Sequence, residues 1–198
     1  MKNNIIYRIR LSGKLLLAAI GMLLSINALA QEPQSLRSLE EEVKDALNCS
    51  FITTENVPDR EAYKVLDFIL QDSKSFTFHH PYLRKIAICN SNRGEYITTS
   101  GYFTEIRLPN TRDLKFLDYC LRHEIGHVID HSNDARASKE WKTVRKHIDT
   151  KSISSYAGTN DEELFAELVA YRTSKEYGKT LPILPSDIEK MIDGFLYN

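Results

Sequence analysis

The chain is poor in the residues that mark unusual protein classes. It has three cysteines, six prolines, eight glycines and one tryptophan in 198 residues. That is too little glycine and proline for a collagen-like repeat or a low-complexity tract. An excess of one charge is also lacking. The 26 Lys plus Arg stand against 27 Asp plus Glu, a net charge of −1, so no basic surplus points to nucleic acid. A single long apolar run, near the N-terminus, excludes a multi-pass membrane protein. What is present is ordinary: 42% hydrophobic and 27% charged residues. This composition excludes a disordered chain and suits one globular domain, or at most two small ones, able to bury a core.

The first thirty residues predict a secretory signal peptide. Met1 to Lys14 carries Lys2, Arg8, Arg10 and Lys14 and no acidic residue; the apolar run Leu15 to Ile26 follows, then Ala28-Leu29-Ala30. A basic start, a short apolar core and an A-x-A ending are its three parts. An uncleaved anchor is the competing reading, but a spanning helix needs about 20 apolar residues. Cleavage after Ala30 removes four basic residues and takes the net charge from −1 to −5. The expected organisation is therefore a signal peptide over 1–30 and one domain over 31–198. Its destination is the periplasm or the exterior, with no stable membrane insertion after cleavage. Cys49, Cys89 and Cys120 remain in the mature chain; they allow one disulfide in three possible pairings, or three reduced and buried thiols.

Helices are expected over Ser35 to Asn48, Arg60 to Gln71, Asp113 to His131, Arg136 to His147, Asp161 to Lys175 and Ser186 to Leu196. The last opens with a Ser186-x-x-Glu189 capping box. Lys85 to Cys89 and Tyr102 to Leu108 read as strands, with a turn at Asn90 to Gly94. The pattern is α+β, mostly helical with a small sheet in the N-terminal half. Trp141, with Val144 and Ile148 on one side, reads as a packing residue, and His79-His80-Pro81 as a loop with no role. Gln31 to Pro58 suits either a pro-segment or ordinary helical packing.

The chemistry lies in His123-Glu124-Ile125-Gly126-His127. Two histidines at i and i+4 share a helix face, so both imidazoles reach one ion, and zinc is the default for nitrogen ligands in a tetrahedral site. Glu124 is turned about 100° away, beside the metal, where it can act as general base toward an activated water. Leu114, Leu117, Leu121, Ile125, Val128 and Ile129 fall on the opposite face. Gly126 costs about 1 kcal/mol in a helix interior, which implies that another backbone comes close.

A catalytic zinc needs a third protein ligand. His131 lies about 12 Å from His123 along the axis, too far to share an ion. The better source is Asn160 to Glu167, where Asn160 or Asp161 caps a helix and Glu163 and Glu167 share one face. Ala166 and Ala170 are small enough for that helix to press against the first. Geometry alone leaves Glu163 and Glu167 as alternatives.

The second block reads Ser155-Tyr156-Ala157-Gly158-Thr159-Asn160-Asp161-Glu162-Glu163-Leu164-Phe165-Ala166-Glu167. Following His-Glu-x-Gly-His after about thirty residues, it resembles the zinc metallopeptidase domain of the anthrax lethal factor type. The resemblance covers roughly Tyr119 to Lys175, under a third of the chain. It implies a zincin-like domain in which His123, His127 and Glu163 bind zinc and Glu124 is the base. Tyr156 would stabilise the oxyanion or protonate the leaving amine, and Glu167 would orient a ligand histidine. The expected activity is that of a secreted zinc metalloendopeptidase on a peptide or protein substrate, with Tyr102 to Leu108 as a sheet edge for an extended substrate. Two other classes fit the same motifs: a zinc-binding module without activity, and a zinc amidase on a non-protein substrate.

Overall fold

Leucine and valine at helical spacing build the first element, α1 (Leu36–Leu47), whose Leu39, Val43 and Leu47 are buried. Each such side chain contributes roughly 1.5–3 kcal/mol of burial. This computed structural model describes residues 35–74, 83–91, 94–99 and 103–197. The stretch expected to be a signal peptide, the His79-His80-Pro81 stretch expected to be a loop, and Tyr102 lie outside the described residues. Leu36–Asn198 is one compact unit, and no described helix is long and apolar enough to cross a membrane.

After α1 come β1 (Phe51–Glu55), α2 (Asp59–Ser73), β2 (Leu83–Cys89), β3 (Glu95–Thr99) and β4 (Phe103–Pro109). The strands form one sheet in the order β1-β2-β4-β3. β1, β2 and β4 run parallel, and β3 runs antiparallel to β4. β1, α2 and β2 thus make a parallel strand pair joined through a helix. On one face Ile86, Ile88, Ile106 and Leu108 are fully buried. On the other, Arg107 donates to both Glu55 oxygens at 3.0 and 2.8 Å and to Glu105 at 3.0 Å, while Lys85 pairs with Glu105 at 3.1 Å. Charge pairing tiles that face where apolar packing does not.

This overturns one expectation. The strand over Tyr102 to Leu108 is not an edge: β4 is hydrogen-bonded on both sides, and the edges are β1 and β3. Two short strands, β1 and β3, were not expected at all. Between Gln31 and Pro58 the described residues supply α1, whose apolar face joins the core, and the edge strand β1.

The second half is helical: α3 (Leu114–Asn133), α4 (Lys139–Val144), α5 (Thr150–Ile153), α6 (Asp161–Thr173) and α7 (Ser186–Tyr197). Asp113 caps α3 by accepting from the N–H groups of Lys115 and Phe116, and Asp134 ends it in the left-handed region at φ 48°. The single helix expected over Arg136 to His147 is broken into a 3-10 turn, α4 and a second 3-10 turn. Ser138 causes the break, because its hydroxyl takes the Trp141 N–H at 3.0 Å and starts a new helix. At α7 the Glu189 carboxylate accepts from the Tyr177 hydroxyl at 2.7 Å. Trp141 is buried edge-on against Phe165, with ring centroids 5.5 Å apart, as a packing residue. All three cysteines are buried and free.

α3 is covered on every side from Leu117 to Asp130 apart from Asp118 and Tyr119. Leu114, expected on its buried face, is half exposed because it sits in the first turn, beyond the core. Opposite the sheet, α3 lies against α6. A side chain on Gly126 would place its Cβ 2.6 Å from the Ala166 Cα and 3.0 Å from its carbonyl oxygen. The backbone approach inferred from Gly126 is therefore present. On a third side, Arg122 is 1% exposed and donates to both Asp72 oxygens at 2.8 Å, to Asp118 at 2.9 Å and to the Thr173 carbonyl at 2.6 Å.

Two stability predictions follow from these contacts. Gly126→Ala gains about 1 kcal/mol of helix propensity but overpacks the helix pair, for a net loss of about 1–3 kcal/mol. A urea midpoint equal to or above the parent value would show that the helices have slack. Asp72→Ala leaves Arg122 short of its bidentate partner and is expected to cost about 3 kcal/mol or more. A thermal scan that superimposes on the parent would contradict that.

Candidate metal centre

Helix geometry delivers the first pair of side chains. His123 and His127 stand one turn apart on α3, 5% and 7% exposed, on the side that α6 covers. The second pair comes from α6, where Asn160 accepts the Glu163 N–H at 2.9 Å. That cap sets the register of the first turn and turns Glu163 and Glu167 toward α3. His123 Nε2 and Glu163 Oε2 are 3.1 Å apart, His127 Nε2 and Glu163 Oε2 3.3 Å, and the two Nε2 atoms 3.1 Å. Among the described residues, this is the group of three His, Cys, Asp or Glu side chains placed to share an ion.

Glu167 stands behind the group, 4% exposed. His123 Nδ1 lies 2.9 Å from its Oε1. A carboxylate accepts, so Nδ1 carries the proton, and in the neutral ring Nε2 then holds a lone pair. That lone pair faces the Glu163 oxygen and the His127 nitrogen. Two acceptors facing each other in a buried site repel unless a proton or a cation lies between them, and His127 Nε2 supplies either a proton or a third lone pair according to its tautomer. The donor set, two imidazole nitrogens and one carboxylate oxygen, suits a tetrahedral cation with one position open. Of the alternatives Glu163 and Glu167, the structure puts Glu163 among the converging donor atoms and Glu167 against the back of the His123 ring.

Glu124 faces another direction, as its helical position requires. Its Oε1 would lie 2.5 Å from a Cβ on Gly94, so the loop before β3 rests close against the carboxylate. One turn earlier, Cys120 accepts the backbone N–H of Gly94. Tyr156 sits on a 3-10 turn (Tyr156–Gly158) just before α6, half exposed, its ring 5.6 Å from the His123 ring. His131 is exposed in the last turn of α3 and does not join the group. A cavity of about 420 Å³, lined by Leu114, Tyr119, Ile153, Ser154, Glu167 and Tyr171 among others, opens behind Glu167.

Three participants are absent from the motif reading: Gly94, Tyr119 and Ser154. Tyr119 was legible, since it lies one turn before His123 on the same face. Gly94 was not, because only the fold brings it to Glu124. A scan against protein-family models and searches of curated proteins and solved structures return no match to this chain.

The two histidines differ in proton affinity. Burial, followed by the neighbouring His123, lowers the His127 pKa from 6.5 to about 4. Burial works against charge on His123 too, but the Glu167 hydrogen bond and the charges of Glu124, Glu167 and Glu163 outweigh it and raise its pKa. In metal-free protein the first proton should enter at His123, leaving His127 neutral until about pH 4. His127 binds its proton more weakly folded than unfolded, so its contribution to stability is lost as pH falls from 6.5 toward 4. Imidazole NMR titration checks the order; a His127 that protonates first, or near 6.5, would contradict it.

Proposed function

We propose that this chain is an exported zinc-dependent metallopeptidase with a zincin-like domain, similar in its catalytic residues to the anthrax lethal factor type. The observation that carries the reading is the convergence of His123 Nε2, His127 Nε2 and Glu163 Oε2 at 3.1–3.3 Å, with Glu167 on the far nitrogen of His123. The resemblance implies the same four roles, whereas sequence spacing alone leaves the two glutamates as alternatives.

His123, His127 and Glu163 would hold the ion. Zinc bound there supplies a water with a pKa near 7 and a Lewis acid for the scissile carbonyl. Glu124 is the general base: it takes the proton of the attacking water and passes it to the leaving nitrogen. Its burial, at 4% exposure, strengthens that role by keeping bulk water from the carboxylate. Tyr156 lies on the open side of His123, where its hydroxyl can donate to the oxygen that gains negative charge. Glu167 holds the His123 tautomer so that Nε2 faces the ion.

Elemental analysis of purified protein should give one zinc per chain, lost in His127→Ala. A peptide-library digest should show cleavage that a chelator abolishes and added zinc restores. Glu124→Gln should keep the zinc and lose at least 10²-fold in turnover, the lower end for a positioned general base. Zinc at one per chain with no cleavage would instead support the binding module, and cleavage confined to non-peptide amides would support the amidase. Protein that takes up no zinc would sink the whole reading.

A further inference from the structure

Glu167 receives more than the His123 proton. The Tyr119 hydroxyl donates to the same oxygen, Oε1. The Ser154 hydroxyl donates to the carboxylate as well, and Ser154 Oγ in turn accepts the Ala157 N–H at 2.9 Å. Three donors from two segments therefore meet on one buried carboxylate: a tyrosine and a histidine one turn apart on α3, and a serine just before the turn that carries Tyr156. The Tyr119 ring also lies 5.6 Å from the His123 ring and 6.4 Å from that of Phe116.

We infer that Tyr119 is a positioning residue of the metal centre, acting through Glu167 to hold the His123 imidazole in its ligating orientation. The inference rests on the metallopeptidase reading and deepens it. A carboxylate with one donor is free to swing or to draw the proton off the imidazole. With the Tyr119 and Ser154 hydroxyls also bound, its rotamer is fixed and its basicity reduced. The proton then stays on His123 Nδ1, and the Nε2 lone pair stays aimed at Glu163 and His127. Burial of the phenol and its contact with Glu167 both raise the Tyr119 pKa, so the hydroxyl keeps its proton and remains a donor. Ser154 gives the network a second consequence. Through the Ala157 N–H, the turn that presents Tyr156 hangs from the carboxylate that orients His123, so ligand geometry and the position of Tyr156 are set together.

The test uses zinc affinity, by competition with a chromophoric chelator, and the visible spectrum of the cobalt-substituted protein. Tyr119→Phe keeps the ring and removes only the hydroxyl. It should weaken zinc binding about tenfold or more and shift the cobalt bands, with the circular dichroism of the parent. Tyr171→Phe, which removes a hydroxyl from the same cavity outside the network, should change neither. In a Glu167→Gln background, Tyr119→Phe should cost nothing further, because the group it acts through is already gone. If Tyr119→Phe does not fold, Ser154→Ala, which removes another donor to Glu167, should show the same affinity loss and the same dependence on Glu167. Parent-like affinity in a parent that binds zinc, or an equal loss in both backgrounds, overturns this inference and leaves the metallopeptidase reading standing. A parent that binds no zinc overturns both.

Discussion

The distance between two helix backbones governs this site. Gly126 of α3 meets Ala166 of α6 with no room for a side chain between them. Gly126 immediately precedes His127 and lies three residues after His123. Ala166 lies between Glu163 and Glu167. The contact therefore sits at the centre of the four side chains, and its closeness sets how far each must reach. An imidazole and a glutamate carboxylate extend several ångströms from their backbones. Helices held at the usual 8–10 Å separation would leave the Nε2 atoms and the carboxylate farther apart than the 3.1–3.3 Å seen here. One glycine facing one alanine thus converts two ordinary i, i+4 pairs into a single cluster.

The cluster is costly without a cation. His123, Glu124, His127 and Glu167 are all nearly inaccessible to solvent, and buried polar groups are tolerated when something satisfies them. Glu167 is satisfied by hydroxyl and imidazole donors, which hold its pKa below the usual carboxylate value although burial pushes the other way. On the Glu163 side, a carboxylate and the His123 lone pair need a proton or a cation between them. A bound divalent ion would meet that need for all three groups at once, and its binding free energy would then add to folding free energy. The same asymmetry explains why the two histidines, four residues apart, move in opposite directions. His123 has a carboxylate on its outer nitrogen; His127 has burial, a neighbouring imidazole and the Arg136 charge working against protonation.

Much of this was legible in the sequence because it is local. The i, i+4 histidines, the intervening Glu124, the Asn160 cap and the pair Glu163 and Glu167 are short-range patterns whose meaning follows from helix geometry. Gly126 was legible for the same reason: an interior helical glycine is unfavourable unless something lies against it. Failures arose where distant segments decide. β1 and β3 are five-residue strands, too short to show a period, and they form because the sheet offers them a partner. Whether β4 was edge or interior depended on β3 returning beside it, which no pattern within Tyr102 to Leu108 encodes. Ser138 broke a periodic helix through one side-chain hydrogen bond, a local effect that periodicity overrode. The pairing of Glu124 with Gly94 joins residues thirty positions apart and has no local signature.

These non-local contacts have a common purpose, visible in how α3 is held. α6 fixes the face bearing His123 and His127. The loop at Gly94 fixes the face bearing Cys120 and Glu124. Asp72 from α2 and the Thr173 carbonyl from the end of α6 fix Arg122 on a third side. A helix gripped on one face can roll, and a roll of one residue step is about 100°, enough to put Glu124 where His123 stands. Gripped on three faces by polar and steric contacts of different kinds, α3 has one rotational setting. A purely apolar core would bury as much area but would resist rolling less, because hydrophobic contact is non-directional. The fully buried Arg122, at first sight an expensive residue beside a metal motif, is thus explained by orientation rather than by stability. Its bidentate bond to Asp72 is directional, and it sits next to His123, whose angle it helps to fix.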